Sequence, residues 1–496
     1  MAKKEIRLQY SGLVVFAAQM LSVATGLIFQ LMITRATTKP EYGIFFNTND
    51  VLAYFTLLAG VLPFWAMRFV ARGEEGAIKT GILANLTIAV IATLVYLPLV
   101  TLITSALGIS EKYRFLYFMA SIQILEFYSI QVLEPCLQAI RPQVIGYGLL
   151  ITEFCKVILG YVLITEIQPL YGAMLTLIIA FFLKIIFYVK LLSEELKQKV
   201  RWKYLKEWLK GSVANIYNVA GTQISSFIFI MLFTYGGEEA RSYYGAAGQI
   251  ANIIGYSSAL AFALYPKLLA ERRREDITTS LRIVLMFAIP MTAGAIALSN
   301  SYLSILKYEY RQAVPVLVVL AIDVLVGTVS GLYGSVLFGF ERVDERARIS
   351  FKELVKSQLF IAFSLPYLHS SITLPTAFYV LTTYAHNLPL QAALYVSIIN
   401  SSARLAMFLV LYALVRKTIK IDIPWRNIAK YFFASAVMAI ALFALPLHPT
   451  TITLTLGITA IGGIIYLVLS TAIDKEARLL IASVWQEIKS RVKRTP

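Results

Sequence analysis

Apolar runs of 20 or more residues return along the whole chain, and short stretches between them carry most of the charge. A run of about 20 apolar residues matches a helix that crosses the hydrocarbon core of a bilayer. Read in order, the runs place spans at 10–34, 44–67, 80–107, 114–138, 144–166, 170–193, 211–235, 243–266, 283–306, 313–339, 353–383, 388–415, 428–447 and 451–473. Inside lipid each backbone N–H and C=O must be satisfied within its own segment, so these runs are helices. The pattern predicts an all-α polytopic membrane protein of about fourteen transmembrane helices. Pro366 and Pro375 interrupt the eleventh run and leave its continuity open.

Two segments have the pattern of helices that lie on a membrane surface. In 194–210, Val200, Trp202, Leu205, Trp208 and Leu209 alternate with Lys197, Lys199, Arg201, Lys203 and Lys206. The tail 474–496 places Leu480, Val484 and Ile488 four apart and ends on Lys489, Arg491, Lys493 and Arg494. The first residues are basic, but the apolar run after them is too long for a signal peptide and lacks a cleavage site, so the first helix is expected to be retained.

Composition agrees with this reading. The 496 residues are 58% hydrophobic and 15% charged, where a soluble chain carries about a quarter of its residues as charges. The net charge of +17 comes with a marked asymmetry. With both termini cytoplasmic, about 35 of the 45 lysines and arginines fall on the cytoplasmic side and about 7 outside. The basic balance thus reports topology in a plasma membrane and contact with its lipids, not a nucleic-acid partner. Cys136, Cys155, His369, His386 and His448 are scattered, so neither a metal nor another cofactor is expected. No phosphate-binding GxxxxGK[ST] loop is present.

The chain also repeats itself. Leu27, Ile28, Phe29, Gln30, Leu31, Met32, Ile33 and Thr34 line up with 227–234, and Glu41, Tyr42, Gly43 with Tyr243, Tyr244, Gly245. Met67, Arg68, Phe69, Val70 and Ala71 resemble 266–270. The expected organisation is an N-lobe of six helices (1–193), a cytoplasmic amphipathic linker (194–210), a C-lobe of six (211–416), two further helices (417–473) and a basic tail (474–496). Six helices per repeat keep both lobes in one orientation, related by a pseudo-twofold along the membrane normal with a cleft between them.

Polar side chains inside spans are the functional candidates, because burying them in lipid is costly. At the repeat offset Asn47 matches Gln249 and Asp50 matches Asn252, each pair of neighbours sharing a helix face. Such faces suit either hydrogen bonding to sugar hydroxyls or interhelical contacts. Asn215 and Asn218 make another polar face. Arg404 needs a partner from another helix, Asp323 or Glu126, while Glu153 and Lys156 are spaced for a local ion pair. Glu126, Glu153, Lys156 and Asp323 are the candidates for gating or coupling. Lys184 is placed to reach the inner interface. The sequons at Asn85 and Asn400 fall within spans, which argues against glycosylation.

The stretch 26–45, with Thr34, Arg35 and then Pro40, Glu41, Tyr42, Gly43, resembles the opening of the polysaccharide-exporter family, the Wzx-like oligosaccharide flippases. The turn from Gly237 through Glu238, Glu239, Ala240 and Arg241 to Tyr244 and Gly245 is similar. That family shares a superfamily with multidrug/toxin extruders and lipid II flippases. The resemblance implies a transporter rather than an enzyme, which flips lipid-linked oligosaccharide by alternating access. Its implied partners are the lipid-linked glycan, membrane lipids and the proteins that assemble the glycan. It also implies that basic residues attract the substrate's phosphates: Arg35, with Arg68 and Arg72 at the inner mouth. The alternative is a cation-coupled drug or metabolite antiporter of the same superfamily. Relatives often carry an acid in the first or seventh helix; here the first has only Gln30, and 221–234 has no acid.

Overall fold

The computed structural model describes residues 8–261, 274–340, 358–419, 421–444 and 451–479. Among them there are helices and turns and no strand. Within the described residues the predicted spans fall on helix: α1 (Leu8–Ala36); α2 (Lys39–Phe55) with α3 (Val61–Ala71); α4 (Ala77–Ala106); α5 (Glu111–Ile140); α6 (Gln143–Glu166); α7 (Pro169–Leu191). The amphipathic segment supplies α8 (Trp202–Gly211), and then come α9 (Val213–Ser225), α10 (Phe227–Gly236) and α11 (Glu238–Gly255). The remainder is α12 (Arg274–Ala297), α13 (Ser299–Leu306), α14 (Val314–Phe340), α15 (Gln358–Thr383), α16 (Pro389–Thr418), α17 (Trp425–Ala444) and α18 (Ile452–Ile473). Ten described helices are long and apolar enough to cross a membrane, or eleven if the bent pair α2–α3 counts as one crossing. The protein is an all-α, multi-pass membrane protein.

Several spans depart from uniform helices, the ninth among them, which breaks at Leu298 between α12 and α13. The second bends by 56° between α2 and the turn and helix that follow. A 3-10 turn, Leu57–Gly60, fills the bend. α11 likewise passes into a 3-10 turn, Tyr256–Ala261. The partner stretch 266–270 lies outside the described residues, as do His448 and the tail residues from Leu480 onward. The seventh span breaks at Ser226, between α9 and α10. The eleventh is continuous from Gln358 to Thr383 despite its two prolines. A proline removes a ladder donor, and neighbouring helices can satisfy the groups it disturbs. Here Ser225 Oγ donates to the Pro366 carbonyl at 2.7 Å, and the Tyr367 hydroxyl to the Tyr217 carbonyl at 2.7 Å.

By packing, the chain forms two compact units, Met1–Ser242 with Pro366–Ala392, and Tyr243–Leu365 with Ala393–Pro496. In the first, Leu62, Ala66, Val132 and Val144 pack around Trp208, so α8 is fastened to the transmembrane helices by its fully buried indole. Trp202 and Leu209 on its other side are exposed. This two-sided pattern fits a helix lying at the interface.

The second unit packs Leu281, Leu285, Tyr333, Leu411 and Tyr431 into one core. Its polar anchor is Asp474, just beyond α18. The carboxylate accepts hydrogen bonds from Lys430 Nζ (2.9 Å), Asn427 Nδ2 (3.0 Å) and the Tyr431 hydroxyl (3.1 Å). Burial alone would push this carboxyl up, but those bonds outweigh it and hold it below the usual carboxylate range. A depressed folded pKa means the contribution is present above the ordinary aspartate value of about 3.9 and is lost as pH falls through the lower folded value. Asp474→Asn leaves Lys430 without its counter-charge and is expected to destabilise the protein by about 1–3 kcal/mol. Thermal unfolding in detergent at neutral pH should show the loss, and it should shrink in acid.

Candidate functional site

The first unit holds the densest set of charged contacts within the membrane-spanning helices. Thr38 caps α2: its hydroxyl accepts from the Glu41 N–H while the Glu41 carboxylate accepts from the Thr38 N–H, a reciprocal capping box with Pro40 in the first turn. Glu41 also accepts the Tyr113 hydroxyl at 2.7 Å, which orients the start of α2 against α5. The Tyr42 hydroxyl donates to Gln30 Oε1 at 2.8 Å, tying α2 back to α1.

The N-terminal turn of α11 lies against this rigid start. Lys39 Nζ stands 3.2 Å from Glu239. Gly43 meets the Glu238 backbone so closely that an added Cβ would fall 1.9 Å from its carbonyl oxygen. Further along, Arg241 grips Asp50 with two parallel hydrogen bonds, Nε to Oδ2 at 2.6 Å and Nη2 to Oδ1 at 2.9 Å. Only 7% of the arginine side chain and 14% of the aspartate are exposed. The guanidinium also sits 4.8 Å from the Phe46 ring centre and 5.1 Å from that of Phe229. A planar fork on a carboxylate between aromatic faces is the geometry in which arginine, and not lysine, is the effective partner.

Asp50 was a candidate from sequence; Arg241 was not. The charge count assigns it to the loop between the seventh and eighth spans, whereas α11 begins at Glu238 and takes Arg241 into its first turn. The signal was present in the quoted turn, Gly237 to Gly245, but its partner 191 residues away was not. Asn47, one turn before Asp50, is fully buried and its Oδ1 accepts the Tyr117 hydroxyl at 2.6 Å, while its Nδ2 has no partner among the described residues. Of the residues matched to these by the repeat, Gln249 is half-buried and Asn252 exposed. Asn215 and Asn218 are half-buried on α9. The Gln223 carbonyl, further along α9, accepts the Tyr54 hydroxyl of α2 at 3.3 Å.

Three further pairs of charges form inside the helices. Lys156 and Glu153 meet at 2.6 Å, and the second Glu153 oxygen accepts from Thr25 of α1 at 2.6 Å. Lys184 does not reach for the interface: it is buried and meets Glu134 of α5 at 2.6 Å, with the Tyr188 hydroxyl on the same carboxylate oxygen at 3.0 Å. In the second unit Arg404 finds Asp323 at 3.1 Å, one of the two partners its sequence position called for. The other, Glu126 in α5, is 4% exposed, and neither carboxylate oxygen has a hydrogen-bond partner among the described residues.

The remaining basic candidates lie at helix ends. Arg35 is exposed in the last turn of α1. Arg68 lies over Phe64 and Trp65, at 4.6 and 5.7 Å. Arg72 is exposed just beyond α3. Asn85, despite its sequon, is a fully buried clasp that donates to the carbonyls of Ala59 (3.1 Å) and Tyr128 (2.7 Å). Among the described residues no three His, Cys, Asp or Glu side chains gather as metal ligands would.

Replacing one partner of the α2–α11 ion pair leaves an uncompensated charge in an apolar setting, a loss of about 3–5 kcal/mol. Asp50→Ala and Arg241→Ala should each destabilise by roughly that amount, and the double Ala variant by less than the sum of the two. A double-mutant cycle on thermal or denaturant unfolding reads the coupling.

No family model matches the chain, and no curated protein matches it by sequence. Solved structures do match. The lipid II flippase MurJ in an inward closed conformation aligns with a TM-score of 0.64 over 95% of this chain and 100% of that one, at 14% identity. An inward-facing multidrug resistance MATE family transporter of the MOP superfamily aligns with a TM-score of 0.59 over 82% of this chain and 98% of its own, at 15% identity. A MOP superfamily transporter from Pyrococcus furiosus, with reversed polarity of its binding pocket, aligns at 0.52, with 14% identity over 83% and 94%. The chain thus has the fold of the MOP-superfamily transporters.

Proposed function

We propose that this protein is a transporter of the plasma membrane, with both termini cytoplasmic, that moves lipid-linked oligosaccharide across the bilayer by alternating access. The observation that carries the reading is a fold spanning the whole length of a lipid II flippase. The cargo of that flippase is lipid II; a carrier-linked glycan is the cargo proposed for this chain. The polar glycan would travel past half-buried polar groups of the first unit such as Asn215 and Asn218, while the polyprenyl tail stays in lipid. Arg35 and the inner-mouth arginines would attract the substrate's phosphates.

Alternating access needs a contact that holds one state and can be exchanged. The α2–α11 contact has that character. Its strength lies in discrete charged pairs, Lys39–Glu239 and Asp50–Arg241, and such pairs re-form elsewhere or solvate when the helices part. No bond is made or broken in this cycle, so no catalytic side chain is assigned.

One observation favours a second reading, a cation-coupled antiporter: the buried carboxyl of Glu126, without a hydrogen-bond partner. An intramembrane acid without a fixed partner suits a proton or sodium ion that binds in one state and leaves in the other.

The test is translocation of a fluorescent lipid-linked oligosaccharide in proteoliposomes. Protein-dependent flipping above empty vesicles is the expected result. An absence of flipping across several glycans and carriers, with proton- or sodium-driven efflux of small cations, would replace this reading by the antiporter one. Glu126→Gln separates energy sources within either reading. Where Glu126 carries the coupling ion, the variant should run at a rate independent of an imposed ion gradient while staying folded.

A further inference from the structure

A second charged feature lies at the ends of the membrane-crossing helices and shares Arg72 with the inner mouth proposed above. A cavity of about 550 Å³ is lined by Phe69, Arg72, Glu74, Arg201, Lys203, Tyr204 and Glu207. Its walls come from two places in the first unit. One is the end of α3 and the short link to α4; the other is the start of α8. Both links join membrane-crossing helices, so the cavity sits at the level where lipid headgroups meet the protein.

The site is built, not a chance gathering of surface lysines. Gly76 has a left-handed φ of +79° and packs against the Lys199 carbonyl so closely that any Cβ would overlap it. The Gly76 N–H donates to Gln198 Oε1 at 2.6 Å, and the Arg201 N–H to Thr80 Oγ1 at 2.8 Å. These bonds fix the entry to α8 on the end of α4. The buried Trp208 fixes the helix itself, edge-on to Phe69 at 5.6 Å. On the cavity wall Tyr204 lies 5.0 Å from Phe69, and its hydroxyl donates to Glu74 at 2.9 Å.

Three cations and two carboxylates, Glu74 and Glu207, line it, so a single positive charge is left over. Glu74 accepts the Tyr204 hydroxyl. Arg72, Arg201 and Lys203 have no side-chain hydrogen bond or ion pair among the described residues. Three cations converge on a space the size of a small polar headgroup, two of them guanidinium forks that match phosphate oxygens. Next to them Trp202 and Leu209 present exposed apolar surface, placed to insert among acyl chains when the cations meet the headgroup layer. The structure assigns this cavity to the phosphate-bearing headgroup of an anionic membrane lipid, held as a structural ligand that seats α8 on the bilayer.

The test is retention of phosphatidylglycerol by the full chain, released from mixed phosphatidylglycerol and phosphatidylcholine micelles and weighed by native mass spectrometry. Arg72→Gln with Arg201→Gln removes the two forks while keeping side-chain bulk. Lys206→Gln with Lys210→Gln removes the same charge from the same helix outside the cavity. Wild type is expected to keep phosphatidylglycerol in preference to phosphatidylcholine. The first double variant should weaken that preference about tenfold, and the second should keep it, with both melting as wild type does. Equal losses in the two double variants would mean a diffuse basic surface and would overturn the assignment. So would wild type with no preference between the lipids. Displacement of the lipid by millimolar inorganic phosphate would overturn the lipid source, making the cavity a site for free phosphate. None of these readouts depends on transport.

Discussion

Hydrocarbon offers a charged side chain no water, so each ionised group inside these helices must find its partner within the protein. That constraint shapes the interior of both units. In the first, Glu153 with Lys156 and Thr25 joins α6 to α1, Glu134 with Lys184 and Tyr188 joins α5 to α7, and Asp50 with Arg241 joins α2 to α11. In the second, Asp323 with Arg404 joins α14 to α16. Apolar packing between helices in lipid is weakly directional, since lipid tails are as apolar as leucine. The ion pairs therefore supply much of the specificity in which helix lies beside which. They also concentrate the cost of any rearrangement into a few identifiable contacts.

Much of this was legible in the sequence because the bilayer imposes it. The apolar runs located the helices, though the helix at the ninth begins nine residues before the run, at Arg274, and the amphipathic segment at 194–210 contains the start of α8 at Trp202. Partners separated by three residues could be read directly, as with Glu153 and Lys156. Distant partners could not. Arg404 had two candidate acids, and only the packing of α14 against α16 chose Asp323. Lys184 looked able to reach the interface until α5 presented Glu134 to it. Arg241 looked like a loop charge, although Gly237 with Glu238 and Glu239 marks the start of α11; its role depends on a residue 191 positions earlier. The bend at Thr56 and the break at Ser226 were equally silent, because neither has a proline to announce it. The two prolines that were visible, Pro366 and Pro375, sit inside an unbroken helix.

The same physics separates two kinds of charged site. Pairs within the spanning helices have partners and can exchange them, which suits a conformational cycle. The cations at the α3–α4 link and α8 are left without partners where water and headgroups can supply them, which suits a lipid contact. Glu126 belongs to neither set: it is buried, acidic and without a hydrogen-bond partner, and for that reason it is the residue through which an ion gradient would most simply act.

The central claim is that the α2–α11 contact parts and re-forms during transport. It is tested most directly by tethering that contact. Cysteines at Lys39 and Glu239, whose side chains meet at 3.2 Å, would be joined by a short cleavable thiol cross-linker in a protein with Cys136 and Cys155 replaced by serine. Flipping of lipid-linked oligosaccharide would then be followed in proteoliposomes. The account predicts that the tethered protein stops and that reducing the cross-link restores the rate. Flipping that continues at the same rate with the tether in place would show that this contact does not move in the cycle, and would contradict it.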